Sequence, residues 1–249
     1  MKIKYCVFSS NSDRKYLDFW PKTRDLWIRM NIIPIFVFIG EEDKVIDRGN
    51  YIIRKIKKIN NYDDGFQSQI SRLFITKYYP NESIITSDVD MLPISENYFR
   101  ATVEKYPEDS FICMSSDGYD DDKQIRNYGK VPICYNVGLG KTFAEILDLE
   151  CDFKTFCARL WENHPHWDSD EKYLAKKLGD FREQHRIIRL KRGFTHGSEA
   201  IGRIDRADWC VSEFKFKTKR YVDCHSVRPY KRYKKEIDEL INFIYKYDY

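Results

Sequence analysis

The sequence predicts an α/β fold, a single domain on a mixed, mostly parallel sheet flanked by helices. Three observations carry this. Short β-branched or aromatic runs recur through the first 95 residues, at Lys2–Phe8, Pro34–Ile39, Tyr51–Ile56 and Ser83–Thr86. Helical stretches separate several of them, as parallel connections require. The first and last of these runs end in polar residues, and the run at Pro34–Ile39 closes on Gly40.

Taken in order, Lys2–Phe8 is an alternating strand followed by the polar loop Ser9-Ser10-Asn11-Ser12-Asp13, which can cap the next helix. Asp13–Met30 is helical and restarts at Pro21, because proline fits a first turn but not a helix interior. Pro34–Ile39 is a buried strand, and Tyr51–Ile56 a third. Phe66–Tyr79 is an amphipathic helix with Ile70, Leu73, Phe74 and Lys77–Tyr78 at helical spacing, stopped by Pro80-Asn81. The strand at Ser83–Thr86 runs on to Ser87-Asp88-Val89-Asp90, and Pro93 is expected to end regular pairing. Further on, Phe111–Met114 and Val131–Tyr135 read as strands, Asn136–Gly140 as a glycine-rich loop, and Lys141–Leu149, Phe153–Glu162 and Ser169–Leu178 as helices. Arg220–Cys224 reads as a late strand. The last helix, Lys231–Tyr247, places Ile237, Leu240, Ile241 and Ile244 on one face. That face packs on the sheet or, alternatively, makes a peripheral membrane contact. No repeat or linker divides the chain, so residues 1–249 are read as one domain, with parts at 1–95 and 96–230 and a C-terminal helix at 231–249.

Composition narrows the class. With 42% hydrophobic and 33% charged residues the chain can bury a core and is neither disordered nor fibrous. The longest near-apolar run, Ile32–Ile39, is too short to span a bilayer, and the N-terminus reads as a strand rather than a signal peptide. Seven scattered cysteines form no Cys-x-x-Cys, which argues against zinc and for reduced thiols in the cytoplasm. The net charge of +4 hides an asymmetry. Between Arg182 and Lys235 there are 16 Lys or Arg and 6 Asp or Glu, which leaves the rest of the chain net acidic. A basic third suits phosphates, an acidic membrane surface or nucleic acid; solvated surface is the plain alternative.

The chemistry concentrates at strand ends. In an extended strand Asp88 and Asp90 point the same way, and two hard oxygen ligands there suit Mg²⁺ or Mn²⁺; a turn with two solvated aspartates is the alternative. Ser9, Ser10 and Asn11 occupy a second strand end. Arg72 lies on the helix before the aspartates, either near the same site or in solvent. Asn136 and Gly138 form a third polar point, and Asp168-Ser169-Asp170-Glu171 a fourth, where the acids can equally cap a helix. His225, Arg228 and Lys231 follow the late strand. The acidic loop around Asp117, Asp120, Asp121 and Asp122 reads as solvated or lid-like.

In their order and spacing, Ile70-Ser71-Arg72-Leu73, Ser87-Asp88-Val89-Asp90, Tyr135-Asn136-Val137-Gly138 and His225 with Arg228-Pro229-Tyr230 resemble the GT-A fold (Rossmann-like) metal-dependent glycosyltransferases. These belong to the nucleotide-diphospho-sugar transferases, and the likeness is partly to the glycogenin-like, family-8-type enzymes. The resemblance runs from Lys2 to Lys231. It implies Mn²⁺ or Mg²⁺ held by Asp88, Asp90 and His225, with Asp88 also on the ribose or sugar. It implies Arg228 and Lys231 on the diphosphate, Arg72 on sugar or phosphate, Ser9, Ser10 and Asn11 around base and ribose, and Asn136 and Gly138 at the sugar pocket. The family usually carries a lysine at longer spacing from the histidine, so Lys231 departs from its pattern. His164-Pro165-His166-Trp167 with Asp168–Glu171 resembles the Trp-x-x-Asp-Asp/Glu pattern of inverting members and also the Asp-Gln segment of retaining ones. Asp170 is the candidate base and Glu171 the second choice, with Trp167 suited to a sugar face.

The implied activity moves a sugar from a nucleoside diphosphate, a UDP-hexose by expectation, to a hydroxyl of a glycan or glycoprotein. Three rivals stand beside it. A nucleotidyltransferase would want glycines after the first strand, and Ser9–Asp13 has none. A two-metal nuclease would use Asp88 and Asp90 with the basic C-terminal third on nucleic acid, a partner not expected here; it needs further acids near the first pair and a salt-sensitive DNA or RNA affinity. A non-catalytic nucleotide-sugar-binding module would bind donor without turnover.

Overall fold

A computed structural model gives the architecture and describes residues 1–116, 118, 129–162, 167–191 and 202–247. The acidic loop residues Asp117, Asp120, Asp121 and Asp122 and the segment 164–166 lie outside the described residues.

Eight strands form the main sheet, in spatial order β3-β4-β2-β1-β5-β8-β7-β9. They are β1 (Tyr5–Ser10), β2 (Ile33–Gly40), β3 (Lys44–Asp47), β4 (Ile52–Lys57), β5 (Ser83–Thr86), β7 (Phe111–Cys113), β8 (Asn136–Leu139) and β9 (Ile187–Arg189). β1 lies in the middle, parallel to both β2 and β5, and β4 extends the parallel run beyond β2. β3 and β8 run antiparallel to their neighbours, so the sheet is mixed and mostly parallel. A second sheet of three strands orders β10 (Gly202–Asp205), β11 (Tyr221–His225) and β6 (Met91–Pro93).

Helix starts follow local chemistry. Asp13 caps α1 (Arg14–Leu17) by accepting the Lys15 N–H, and α2 (Trp20–Arg29) carries Pro21 in its first turn, as expected for a restart. Asp63 accepts the Phe66 N–H at 2.9 Å at the start of α3 (Asp64–Phe74), which tightens into a 3₁₀ turn at Ile75–Tyr78. α4 (Glu96–Glu104) is capped by Ser95. α5 (Gly140–Leu147) starts where a Cβ would stand 2.3 Å and 2.4 Å from the carbonyl oxygens of Tyr79 and Thr76, so only glycine fits. α6 (Phe153–Trp161), α7 (Ser169–Asp180), α8 (Glu213–Lys217) and α9 (Lys234–Lys246) complete the described helices.

The apolar residues divide between the two faces of the main sheet. Cys6 and Phe8 pack on one side with Trp27, Phe99 and α9, while Val7 packs on the other with Ile70, Leu73 and Phe143. This is strand alternation expressed as two cores. Ile237, Leu240, Ile241 and Ile244 of α9 are buried in the first core, so the apolar face offered above as a membrane contact is already covered by the protein. All seven cysteines are unpaired, and no helix among the described residues is long and apolar enough to cross a membrane.

Two sequence expectations are corrected. Asn136–Leu139, read as a loop, is strand β8 and pairs with β5 and β7. Val131–Tyr135, read as a strand, lies outside any strand. Regular pairing ends at Pro93 as expected, the last residue of β6 (Met91–Pro93) against β11.

Candidate active site

The acidic pair sits at the carboxyl end of β5, the edge at which parallel sheets bind ligands. The strand stops at Thr86, and the Met91 N–H donates to the Asp88 carbonyl at 3.1 Å, so Asp88–Met91 is a turn rather than the expected extended continuation. Three contacts fix this turn. Thr23 Oγ1 of α2 donates to the Val89 carbonyl at 2.6 Å. The Ser87 N–H donates to the Val7 carbonyl at 2.9 Å, and the Ser226 N–H, just past β11, donates to the Asp90 carbonyl at 3.0 Å.

The turn gives the two aspartates different surroundings. Asp88 is half-buried and is held by Arg72 of α3, whose guanidinium also reaches Asp170 Oδ2 of α7 at 2.6 Å and the Ser87 carbonyl at 3.2 Å. One buried arginine thus bridges two carboxylates. Burial pushes the Asp88 carboxyl up, but Arg72 outweighs it and the group ends below its ordinary value. Asp170, 1% exposed, goes the other way, because burial outweighs the same guanidinium. Its Oδ1 accepts the Glu171 N–H at 2.9 Å, so both oxygens are engaged.

Asp90 is buried beside two arginines and a histidine. Its Oδ2 lies 3.3 Å from Arg228 Nε, 3.4 Å from Arg206 Nη1 and 3.9 Å from His225 Nε2. Burial and the Asp88 charge raise its pKa, while His225, Arg228 and Arg206 oppose the rise. The Arg228 guanidinium also lies 4.8 Å from the Tyr16 ring centroid. On its other side His225 meets Asp205, with Nδ1 to Oδ2 at 3.4 Å. Asp205 is lowered: burial resists, and the Ala207 N–H and the histidine prevail.

The structure therefore brings together Arg72, Asp88, Asp90, Asp170, His225 and Arg228. Glu171 is half-buried on the first turn of α7. Trp167 is 69% exposed just before that helix; Gln69 Nε2 donates to its carbonyl at 2.6 Å, and Lys130 Nζ stands 5.0 Å from its ring centroid. Asp168 does not cap α7 through a side-chain bond; it pairs with Lys130 and Lys172.

Other expected residues are engaged in local structure. Ser9 Oγ donates to the Ser68 carbonyl at 2.6 Å, Ser10 Oγ to the Asn11 carbonyl at 3.1 Å, and Asn11 Oδ1 accepts the Asp13 N–H at 3.0 Å. Asn136 is fully buried, its amide donating to the carbonyls of Pro132 and Ile133 at 2.8 Å each. Gly138 lies in β8, where an added Cβ would meet Phe111, Ser110 and Phe143 at 3.4–3.6 Å. Lys231 is exposed in the turn before α9. Sequence reasoning missed Asp205, Arg206 and the buried pair Arg203–Asp223. The signal in the sequence is weak, since Ile204 is the one strong strand former in Gly202-Arg203-Ile204-Asp205.

Whether these residues suit a divalent cation is a question of donors and spacing. Among the described residues, no three His, Cys, Asp or Glu side chains converge as a complete metal cage. The expected third ligand, Asp88, is turned to Arg72. Asp90 Oδ2 and His225 Nε2, however, face each other across 3.9 Å, and a carboxylate oxygen with an imidazole nitrogen is a donor set that suits Mn²⁺ or Mg²⁺. Two protein donors completed by substrate phosphates are a common Mg²⁺ arrangement, so the pair fits such an ion.

The sequence matches no family profile and no curated protein. Solved structures do match. An active-site mutant of LgtC aligns with TM-score 0.50 at 9% identity, covering 90% of this chain and 88% of that one. The galactosyltransferase LgtC in complex with donor and acceptor sugar analogs aligns at 0.48 and 9%, over 87% and 79%. The glycosyltransferase GlyE of Streptococcus pneumoniae TIGR4 aligns at 0.49 and 11%, over 78% of this chain and 46% of GlyE. The chain thus has the GT-A fold, shared with the LgtC mutant over nearly its full length.

Proposed function

We propose that the chain is a metal-dependent glycosyltransferase that moves a sugar from a nucleoside diphosphate, a UDP-hexose, to a hydroxyl of a glycan or glycoprotein. The observation that carries this is the meeting of the two sheets. The acidic turn leaves the main sheet at its ligand-binding edge, and β11 of the small sheet brings His225 and Arg228 against Asp90.

In this reading Asp90 and His225 hold Mn²⁺ or Mg²⁺, and the donor's diphosphate completes its shell. The ion supplies positive charge against the departing diphosphate. Arg228 and Lys231 add fixed positive charge there, which stabilises a leaving group most when it is fully charged. Arg72 keeps Asp88 ionised and aimed, and positions Asp170 beside it. Asp170 or Glu171 serves the acceptor hydroxyl, and Trp167 offers an apolar platform to the acceptor sugar. Ser9, Ser10 and Asn11 border the nucleoside, and Asn136 and Gly138 shape the sugar pocket from beneath. The halves 1–95 and 96–230 divide donor nucleotide from sugar and acceptor. Seven unpaired cysteines favour a cytoplasmic setting.

Arg72 also argues against the two-metal nuclease. Such a site needs several free carboxylates, whereas Asp170 and Asp88 are both engaged by one guanidinium. Calorimetric titration with UDP, GDP, UDP-glucose and ATP, each with and without Mn²⁺, tests the proposal. Mn²⁺-dependent binding of one nucleoside diphosphate supports it; absence of binding to all four refutes it.

A further inference from the structure

β10 and β11 run parallel, with Asp205 opposite His225 in register. The Asp205 carboxylate is fixed before it meets the histidine. Its Oδ1 accepts the Ala207 N–H at 2.9 Å, and its own carbonyl accepts the Asp208 N–H at 3.2 Å. The strand beneath is anchored by the fork of Arg203 on buried Asp223, with Nε at 2.9 Å and 3.0 Å from the two oxygens and Nη2 at 2.5 Å. Only Oδ2 is left for His225 Nδ1, at 3.4 Å. On the far side of the ring, Nε2 faces Asp90 Oδ2 at 3.9 Å.

We propose that Asp205 is the positioning residue that fixes His225 in the tautomer with its hydrogen on Nδ1, so that the Nε2 lone pair faces Asp90. A carboxylate only accepts, so the nitrogen beside it must be the donor, and a neutral imidazole then carries its lone pair on the other nitrogen. Two electron-pair donors, Nε2 and Oδ2, then face each other across 3.9 Å. A carboxylate behind the ring also makes the outward nitrogen a stronger ligand. This inference rests on the proposed role of His225 as a metal ligand, but the tautomer itself can be observed without any metal.

Asp205→Asn separates positioning from mere structure. The asparagine oxygen keeps the Ala207 N–H, and the amide nitrogen then faces Nδ1 as a donor. This inverts the tautomer and puts the hydrogen on Nε2, the defect that a carboxylate-to-amide change produces behind a histidine in hydrolytic triads. The experiment is ¹⁵N NMR of the histidine ring in the metal-free protein at pH 8, with His225→Gln to assign the resonance. The wild type is expected to show a pyrrole-type Nδ1 and a pyridine-type Nε2, and Asp205→Asn the reverse, with an unchanged melting temperature. Titration with Mn²⁺ in the presence of UDP is expected to show affinity about 10–100-fold weaker in the variant. An Nε2–H tautomer in the wild type, or an unaltered tautomer in Asp205→Asn, overturns the proposal. Inversion of the tautomer with Mn²⁺ binding unchanged upholds the positioning by Asp205 and overturns the role of His225 as ligand.

Discussion

Replacing Arg72 with methionine tests the electrostatic centre of the site. Methionine keeps much of the apolar stem and removes the charge, leaving Asp88 and Asp170 without their shared partner. At the observed 2.6 Å between Nη2 and Asp170 Oδ2, the gross attraction is about 6 kcal/mol at an effective dielectric of about 20. Much of that offsets desolvation of the ions. Removing one partner nevertheless strands a buried charge, which costs about 3–5 kcal/mol. For a chain of this length that corresponds to a fall in Tm of about 10 °C. Thermal unfolding followed by circular dichroism at pH 7 reads it directly.

The pH dependence has a definite sign. Asp170 already lies above its ordinary value with Arg72 present, and loss of the cation raises it further. A raised carboxylate burdens the folded state only where it must ionise. The burden is absent below the unfolded pKa, about 3.9, and grows as pH rises through the folded value. The gap in Tm between wild type and Arg72→Met should therefore be widest at pH 7 and above and narrow toward pH 4. Adding Asp170→Asn to Arg72→Met should recover about 1–2 kcal/mol, because the stranded charge is gone. A Tm within 2 °C of wild type at pH 7, or a gap that widens in acid, would refute the reasoning.

Further outcomes follow from single contacts. Asp90→Ala should abolish Mn²⁺-dependent donor binding in the calorimeter with the circular dichroism spectrum preserved; retained binding would remove Asp90 from the site. Trp167→Ala should leave stability within about 0.5 kcal/mol, since the ring is exposed, yet raise the acceptor KM; an unchanged KM would make the ring incidental. Gly140→Ala must displace backbone oxygens that a Cβ would approach to 2.3 Å and 2.4 Å, and urea unfolding should show a loss of about 1–3 kcal/mol. Arg203→Met should cost about 3–5 kcal/mol by stranding Asp223, read in the same assay.

Much of the fold is legible because strong local signals agree with the tertiary outcome. Ser83–Thr86 is a β-branched run that becomes a wholly buried strand. Ile70, Leu73 and Phe74 at helical spacing give α3. The exchange between Val131–Tyr135 and Asn136–Leu139 shows where local signals fail. The apolar segment is held out of the ladder in part because the Asn136 amide takes the carbonyls of Pro132 and Ile133. The glycine-containing segment becomes a strand because β5 and β7 pair with it on both sides, a long-range decision that propensity does not encode. The site divides the same way. Asp88, Asp90, Asp170 and His225 stand out as strand-end or helix-start polar residues, and Arg72 as a charged residue on the helix before the aspartates. Asp205 and Arg206 do not, because Gly202-Arg203-Ile204-Asp205 has little strand character of its own and owes its place to β11.

The same dependence explains why a short acidic pair becomes a site at all. Two aspartates one residue apart would ordinarily be solvated in a turn. Here Thr23 and the Ser226 N–H hold the Val89 and Asp90 carbonyls from opposite sides, so the turn cannot swing its carboxylates into water. It must place one against Arg72 and the other against Arg206, Arg228 and His225. The two carboxylates are thereby driven apart in proton affinity, Asp88 down and Asp90 up, although they share a strand end and a sequence motif. That division suits separate duties: on the arginine side a carboxylate that holds its charge more firmly, and on the histidine side one whose surrounding cations can be exchanged for a ligand's own.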